Sequence, residues 1–251
     1  MAGCRFENCD FVGADLTHAN ATKAYFKNSS LTYSDLRHAY LVEAYFRDVD
    51  FMGTLLHNGN FWNADLLGAK HLKKKNFQDP DDRKKSPATC ALETNALVAA
   101  ESYRLLKHYF HRNGLYEDAG WAAYRELTME RKYFFKTRNP RYLPSFLMNL
   151  LSGYTEMPHR VILSSVGMIF LFSIAYYALG APIFLTEGSH RTMGFWDSLY
   201  FSFITFTTVG YGDMVPRPDI WFRAAACLEA FSGPFMAGLY IFSLTRRYAT
   251  N

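Results

Sequence analysis

The chain has 251 residues, 49% of them hydrophobic and 20% charged, with a formal net charge of +4 and a mean hydropathy of -0.13. That length accommodates one large or two modest domains, and the near-neutral mean hides strong unevenness along the chain. Cys4, Cys9, Cys90 and Cys227 have no C-x-x-C spacing and exclude a disulfide framework, and the eight histidines, His108 and His111 among them, form no catalytic or zinc-binding pattern, so an enzyme is not expected.

From Cys4 to Gly68 the sequence divides into thirteen five-residue units without a gap. The third position reads Phe6, Phe11, Leu16, Ala21, Phe26, Leu31, Leu36, Leu41, Phe46, Phe51, Leu56, Phe61 and Leu66, and the first is nearly always small. A period of five fits neither a straight helix nor a simple strand. The pattern closely resembles the pentapeptide-repeat family, which implies a right-handed quadrilateral β-helix with four units per coil, both columns inward and two free positions in each unit. Stacked coils bury a continuous core, and the exposed ends need a cap or a partner. Cys4 and Cys9 are then small core residues rather than metal ligands. Five basic and eight acidic residues give the repeats a charge of -3, too weak for mimicry of DNA, and no nucleic-acid partner is expected.

A second segment spans residues 71–143. Residues 72–87, charged and proline-bearing, read as a linker, and helices are predicted over 91–112 and 116–138. The pair weakly resembles one tetratricopeptide unit, and with no stack to join it is expected to pack on the solenoid or on another subunit. Pro144–Leu151 carries Phe146, Leu147, Leu150 and Leu151 on one face. It suits a helix at a membrane surface, the alternative being an ordinary short core helix.

The third segment, 144–251, is the most apolar. Residues 161–186 contain no charged side chain, which predicts a membrane span over about 159–184. A second span is predicted over about 220–246, apolar except for Arg223, Glu229 and its basic end. Between them, residues 195–206 are helix-compatible but too short to cross a bilayer, with Asp197 placed for a helix N-terminus, so a re-entrant element is expected. Sixteen Lys and Arg in 71–160, against Arg191, Arg217 and Arg223 between the spans, put the N-terminal region in the cytoplasm, and Arg246 with Arg247 put the C-terminus there too.

The glycines of Thr207-Thr-Val-Gly-Tyr-Gly-Asp213 follow the re-entrant helix. Lipid cannot hydrogen-bond a backbone, so non-helical chain at this depth must be buried in protein or line a polar path. Thr208-Val-Gly-Tyr-Gly212 in this context resembles the filter of the two-transmembrane potassium channels. The resemblance implies a homotetramer in which backbone oxygens of Thr208, Val209, Gly210 and Tyr211, with the Thr208 hydroxyl, bind K+. Gly210 and Gly212 would relax the backbone, the Val209 and Tyr211 side chains would brace the filter, and Thr207 and Asp213 would flank it. K+ is then the permeant ion, with no cofactor and no transition-metal site.

Glu229 is costly at its depth and is expected behind the filter, held by hydroxyls such as Thr205 or Ser202, the alternative being a structural buried acid unrelated to conduction; family members with an acid on the re-entrant helix would place it where Ile204 stands here. Gly233 and Pro234 fall where these channels have an inner-helix hinge or gate, and Gly238, Tyr240 and Phe242 lie beyond them. No arginine-periodic helix suggests voltage sensing, and with few residues after the second span, regulation is expected through 1–159 or from the membrane. The expected function is a potassium-selective channel in a prokaryotic plasma membrane with a cytoplasmic pentapeptide domain on each subunit. The alternatives are a membrane-anchored scaffold and a weakly selective cation channel.

Overall fold

The computed structural model describes residues 1–78, 96–180, 182–184 and 194–248, with the side chains of 184 and 246–248 left aside. Residues 79–95 of the linker region, Arg191, and the Arg246 and Arg247 side chains lie outside the described residues. The chain forms two units, Met1–Phe146 and Leu147–Thr250.

In the first unit, strands β1 (Arg5–Glu7), β2 (Tyr25–Lys27) and β3 (Tyr45–Arg47) pair in parallel with Phe6, Phe26 and Phe46 in register. The spacing of twenty residues is four pentapeptides per coil, and isolated parallel bridges continue it to Asp50 with Lys70. The third column from Phe26 to Phe61 is fully buried, with stacked rings of Phe6, Phe26 and Phe46 along the axis. Two local devices turn the corners. Side-chain oxygens of Asp10, Asp15, Asn20, Asp35, Asp50, Asn60 and Asp65, at second positions, accept the amide two residues on, which is the Asx turn. The fifth residue of every one of the thirteen units, from Asn8 to Gly68, has positive φ. The fifth position is therefore constrained in backbone and free only in side chain.

The solenoid does not end where the charged run begins. Leu72 is fully buried, and the Asn76 amide donates to the carbonyls of Phe51 and Thr54 at 3.0 and 2.8 Å from a 3-10 turn at Lys74–Phe77. The linker expected from residue 72 thus starts later, because its first residues complete the last coil. Helices α1 (Ala96–Arg112) and α2 (Tyr116–Lys136) form an antiparallel hairpin that closes this end. Leu106, Phe110, Ala119 and Ala122 join the solenoid core, the Tyr109 hydroxyl donates to the Ala69 carbonyl at 2.8 Å, and the Trp62 indole donates to Glu101 at 2.8 Å. Of the two packing sites expected for the hairpin, it uses the solenoid of its own chain. Across the hairpin, buried Glu126 accepts from Arg104 and Lys107 at 2.8 and 2.6 Å.

Helix α3 (Tyr142–Ser152) leads into the second unit, where α4 (Pro158–Leu179), α5 (Phe195–Phe206) and α6 (Ile220–Tyr248) pack together. Among the described residues, only α4 and α6 are long and apolar enough to span a membrane. Pro158 begins α4 where its missing N–H costs nothing, and Gly180 ends it in the left-handed conformation, short of the residue 184 expected. The chain then forms β4 (Pro182–Phe184), antiparallel to β5 (Met214–Pro216), a pairing with no periodic signal in the sequence.

Candidate functional site

Helix α5 is capped at its start by the Gly194 amide, which donates to Asp197 Oδ2 at 2.9 Å. Its far end holds the segment that follows. The Ile204 carbonyl accepts the amides of both Val209 and Gly210, at 3.0 and 3.2 Å, and the Thr208 amide donates to the Thr205 carbonyl at 3.1 Å. These bonds fold the start of the segment back on the helix end and commit its donors to one side.

The segment also alternates in hand. Thr208, Gly210 and Gly212 have φ of 59°, 51° and 82°, whereas Val209 and Tyr211 are not among the positive-φ residues. A backbone alternating between the right- and left-handed regions turns successive amides to one side and successive carbonyls to the other. Glycine occupies two of the three left-handed positions, where a Cβ is penalised, and Thr208 holds the third. The Thr207 and Thr208 hydroxyls donate to the carbonyls of Phe203 and Thr207. Val209 and Tyr211 side chains stand exposed on the surface of the single chain. The segment ends at Asp213, and β5 begins at the next residue.

Behind α5 lies a polar node in an apolar surround. Glu229 of α6 is fully buried; its Oε1 accepts from Ser202 and its Oε2 from the Tyr176 hydroxyl of α4 at 2.7 Å. Ser202 also lies 2.9 Å from the Ile169 carbonyl of α4. A buried carboxylate survives where its oxygens are met by donors, and here the donors come from two other helices. Of the two hydroxyls expected to hold Glu229, Ser202 does so and Thr205 does not. Tyr176 was missed; its only sequence signal is a hydroxyl-bearing residue within an uncharged span.

Gly233 and Pro234 lie within an unbroken α6. A Cβ placed at Gly233 would stand 1.8 Å from the Phe206 carbonyl oxygen, so this position carries a tight backbone contact between α6 and the end of α5. No cluster of three or more His, Cys, Asp or Glu with metal-binding proximity occurs among the described residues.

Comparison with known proteins falls into the same two parts. Residues 164–250 match the ion channel family profile, and pentapeptide repeats match over 1–32, 9–48 and 34–70. Two-pore potassium channel 1 of Arabidopsis thaliana is 38% identical over 74 residues, 28% of this chain and 20% of the relative. Two pore potassium channel b of Oryza sativa subsp. japonica is 37% identical over 81 residues, 31% of this chain and 23% of the relative. The chain thus spans about a fifth of the length of these curated relatives. Among solved structures, HetL, a pentapeptide repeat protein of Nostoc, shares 27% identity over 27% of this chain and 32% of its own, with a TM-score of 0.26. Another Nostoc pentapeptide repeat protein shares 35% identity over 28% and 57%, with a TM-score of 0.25.

Proposed function

From a C-terminal ion-channel domain and N-terminal pentapeptide repeats, we infer that four copies of this chain assemble into a potassium-selective pore carrying a pentapeptide solenoid on each subunit. The observation that carries this reading is the alternating backbone of Thr208 to Gly212, with its first amides anchored on the Ile204 carbonyl. Four such segments around an axis form rings of carbonyl oxygens from Thr208, Val209, Gly210 and Tyr211 that replace the hydration shell of K+. The protein is passive: it lowers the cost of dehydrating the ion, and the gradient does the rest.

Each element of the second unit has a part in this. Helix α5 points its C-terminal end, with partial negative charge, at the inner side of the filter, which favours a cation. The exposed Val209 and Tyr211 side chains are covered by neighbouring subunits in a closed four-fold ring. Glu229, through Ser202, holds α5 against α6 and supports the filter from behind. Asp213 follows the filter at the outer mouth. The basic bias places unit 1 and the C-terminus in the cytoplasm, and the exposed Leu143, Phe146, Leu147 and Leu150 of α3 lie at the inner membrane surface. Regulation enters through the solenoid and its helical cap.

The test is the reversal potential of the purified full-length protein in a planar bilayer, with K+ on one side and Na+ on the other. A value near the K+ equilibrium potential is expected. Currents reversing near zero identify a weakly selective cation channel, and a protein that assembles but never conducts is the membrane-anchored scaffold.

A further inference from the structure

Two contacts fasten α6 to α5, and they are one helical turn apart on both. Ser202 donates to Glu229, and four residues further along each helix the Phe206 carbonyl meets Gly233. The second contact is the tighter. A methyl group at Gly233 would lie 1.8 Å from the Phe206 oxygen and 2.9 Å from its carbonyl carbon, backbone atoms that cannot step aside. With only hydrogens on its α-carbon, glycine lets the carbonyl approach to make a C–H···O contact. Glu229 is held from a second direction by the Tyr176 hydroxyl of α4, and the Ser202 oxygen lies 2.9 Å from the Ile169 carbonyl. The turn of α6 from 229 to 233 is therefore fixed on the helix that carries the filter.

The next residue changes the mechanics. Pro234 has no N–H for the Ala230 carbonyl, and its ring presses on that carbonyl, so one rung of α6 is missing immediately after the fixed turn. Beyond it α6 runs on to Tyr248. In this lower half the fully buried Ser243 hydroxyl donates to the Thr155 carbonyl at 2.7 Å. Thr155 belongs to a run of three left-handed residues, Gly153, Tyr154 and Thr155, that joins α3 to α4.

We propose that Gly233 is a docking point and not a flexing point: α6 pivots at Pro234, its upper half locked to the pore helix by Glu229 and Gly233 and its lower half latched to the α3–α4 turn by Ser243. Gating then moves residues 235–248 while the filter keeps its shape. This rests on the pore reading above. It assigns Glu229 and Gly233 as positioning residues for selectivity, and Pro234 and Ser243 as residues that set opening without touching selectivity.

The experiment is single-channel recording of the full-length protein under K+/Na+ bi-ionic conditions, comparing wild type with Gly233→Ala, Pro234→Ala and Ser243→Ala. Gly233→Ala is expected to move the reversal potential toward zero. The other two are expected to keep the wild-type reversal potential and to change open probability about tenfold, the order of effect that one lost buried hydrogen bond has on a two-state equilibrium. Where Gly233→Ala does not assemble, Ser202→Ala loosens the partner contact without adding bulk and is read in the same way. A selective wild type whose Gly233→Ala and Ser202→Ala variants keep its reversal potential, and alter only opening, overturns the proposal and makes Gly233 a hinge. So does a Ser243→Ala variant with unchanged open probability. A wild type that is itself unselective or silent overturns the pore reading, and the proposal falls with it.

Discussion

The two units treat apolar surface in opposite ways. In the solenoid the large side chains of successive coils close on one another, so that Leu31, Leu41, Phe46, Phe51 and Leu56 are each 0% exposed within one chain. In the second unit Trp221 is 80%, Phe231 75% and Tyr211 73% exposed. A repeat whose neighbours lie next to it in sequence completes its core locally, whereas the three helices of the second unit leave apolar faces that nothing in the single chain covers. The solenoid's stability is therefore a property of the single chain, and the second unit's depends on membrane and assembly.

Substitutions confined to one unit should leave the other unchanged, which makes the comparison breakable. The largest effect is expected from Gly210→Ala. The position has φ of 51°, where a Cβ costs roughly 1–2 kcal/mol per chain, and the four-fold filter proposed above would collect that strain four times on one axis. Selective conduction should be lost in bilayer recordings while hydrogen-exchange protection of the solenoid stays at the wild-type level. Loss of solenoid protection as well would show that the units are energetically coupled.

Next comes Leu41→Ala in the middle of the solenoid. Truncating a fully buried leucine costs about 2–5 kcal/mol, enough to open a domain of this size in a large fraction of molecules. Proteolysis should become faster within residues 1–72, and the reversal potential should not move. Asn76→Ala is a smaller version of the same test. It strands the Phe51 and Thr54 carbonyls at the capped end, at a cost of about 1–3 kcal/mol, and exchange should accelerate in the last coil before the first. Uniform acceleration would mean that the coils open as one unit.

How much of this was readable in advance divides along the range of the interactions. The third-column burial was legible because each residue's environment repeats every five positions, and the left-handed backbone at Gly210 and Gly212 because glycine's freedom belongs to the residue itself. Left-handed fifth positions escaped notice because Lys23, Tyr33 and Glu43 stand there beside the expected Asn and Gly, the coil imposing a conformation their own preferences resist. The helical cap rests on Tyr109 reaching Ala69, 40 residues away, and the Glu229 node on Tyr176, 53 residues away. Neither pairing has a spacing rule. Gly233 shows the subtler loss: a glycine before a proline reads as a bend, while its closest neighbour is a carbonyl on another helix.

The smallest effect sharpens the comparison through pH. In the solenoid the His38 ring stacks on His18 at 4.7 Å, nearly parallel, and lies 5.7 Å from His57. Partial burial pushes the His38 pKa below its ordinary value of 6.5; His18, His57 and Arg37 push the same way, and Asp35 opposes them. A histidine with a depressed folded-state pKa binds its proton more readily in the unfolded chain. Its contribution to stability is therefore intact above pH 6.5 and is lost as the pH falls from there through the folded pKa. His38→Asn removes the titrating group and suits the left-handed backbone, since Asn58 holds the equivalent place one coil on with φ of 61° against 60° at His38. Urea unfolding of unit 1 within the full-length chain, compared at about pH 7.5 and about pH 5.5, should show a drop in wild type that shrinks in the variant. An equal drop in both would move the acid sensitivity to another group and leave the histidine stack a packing feature.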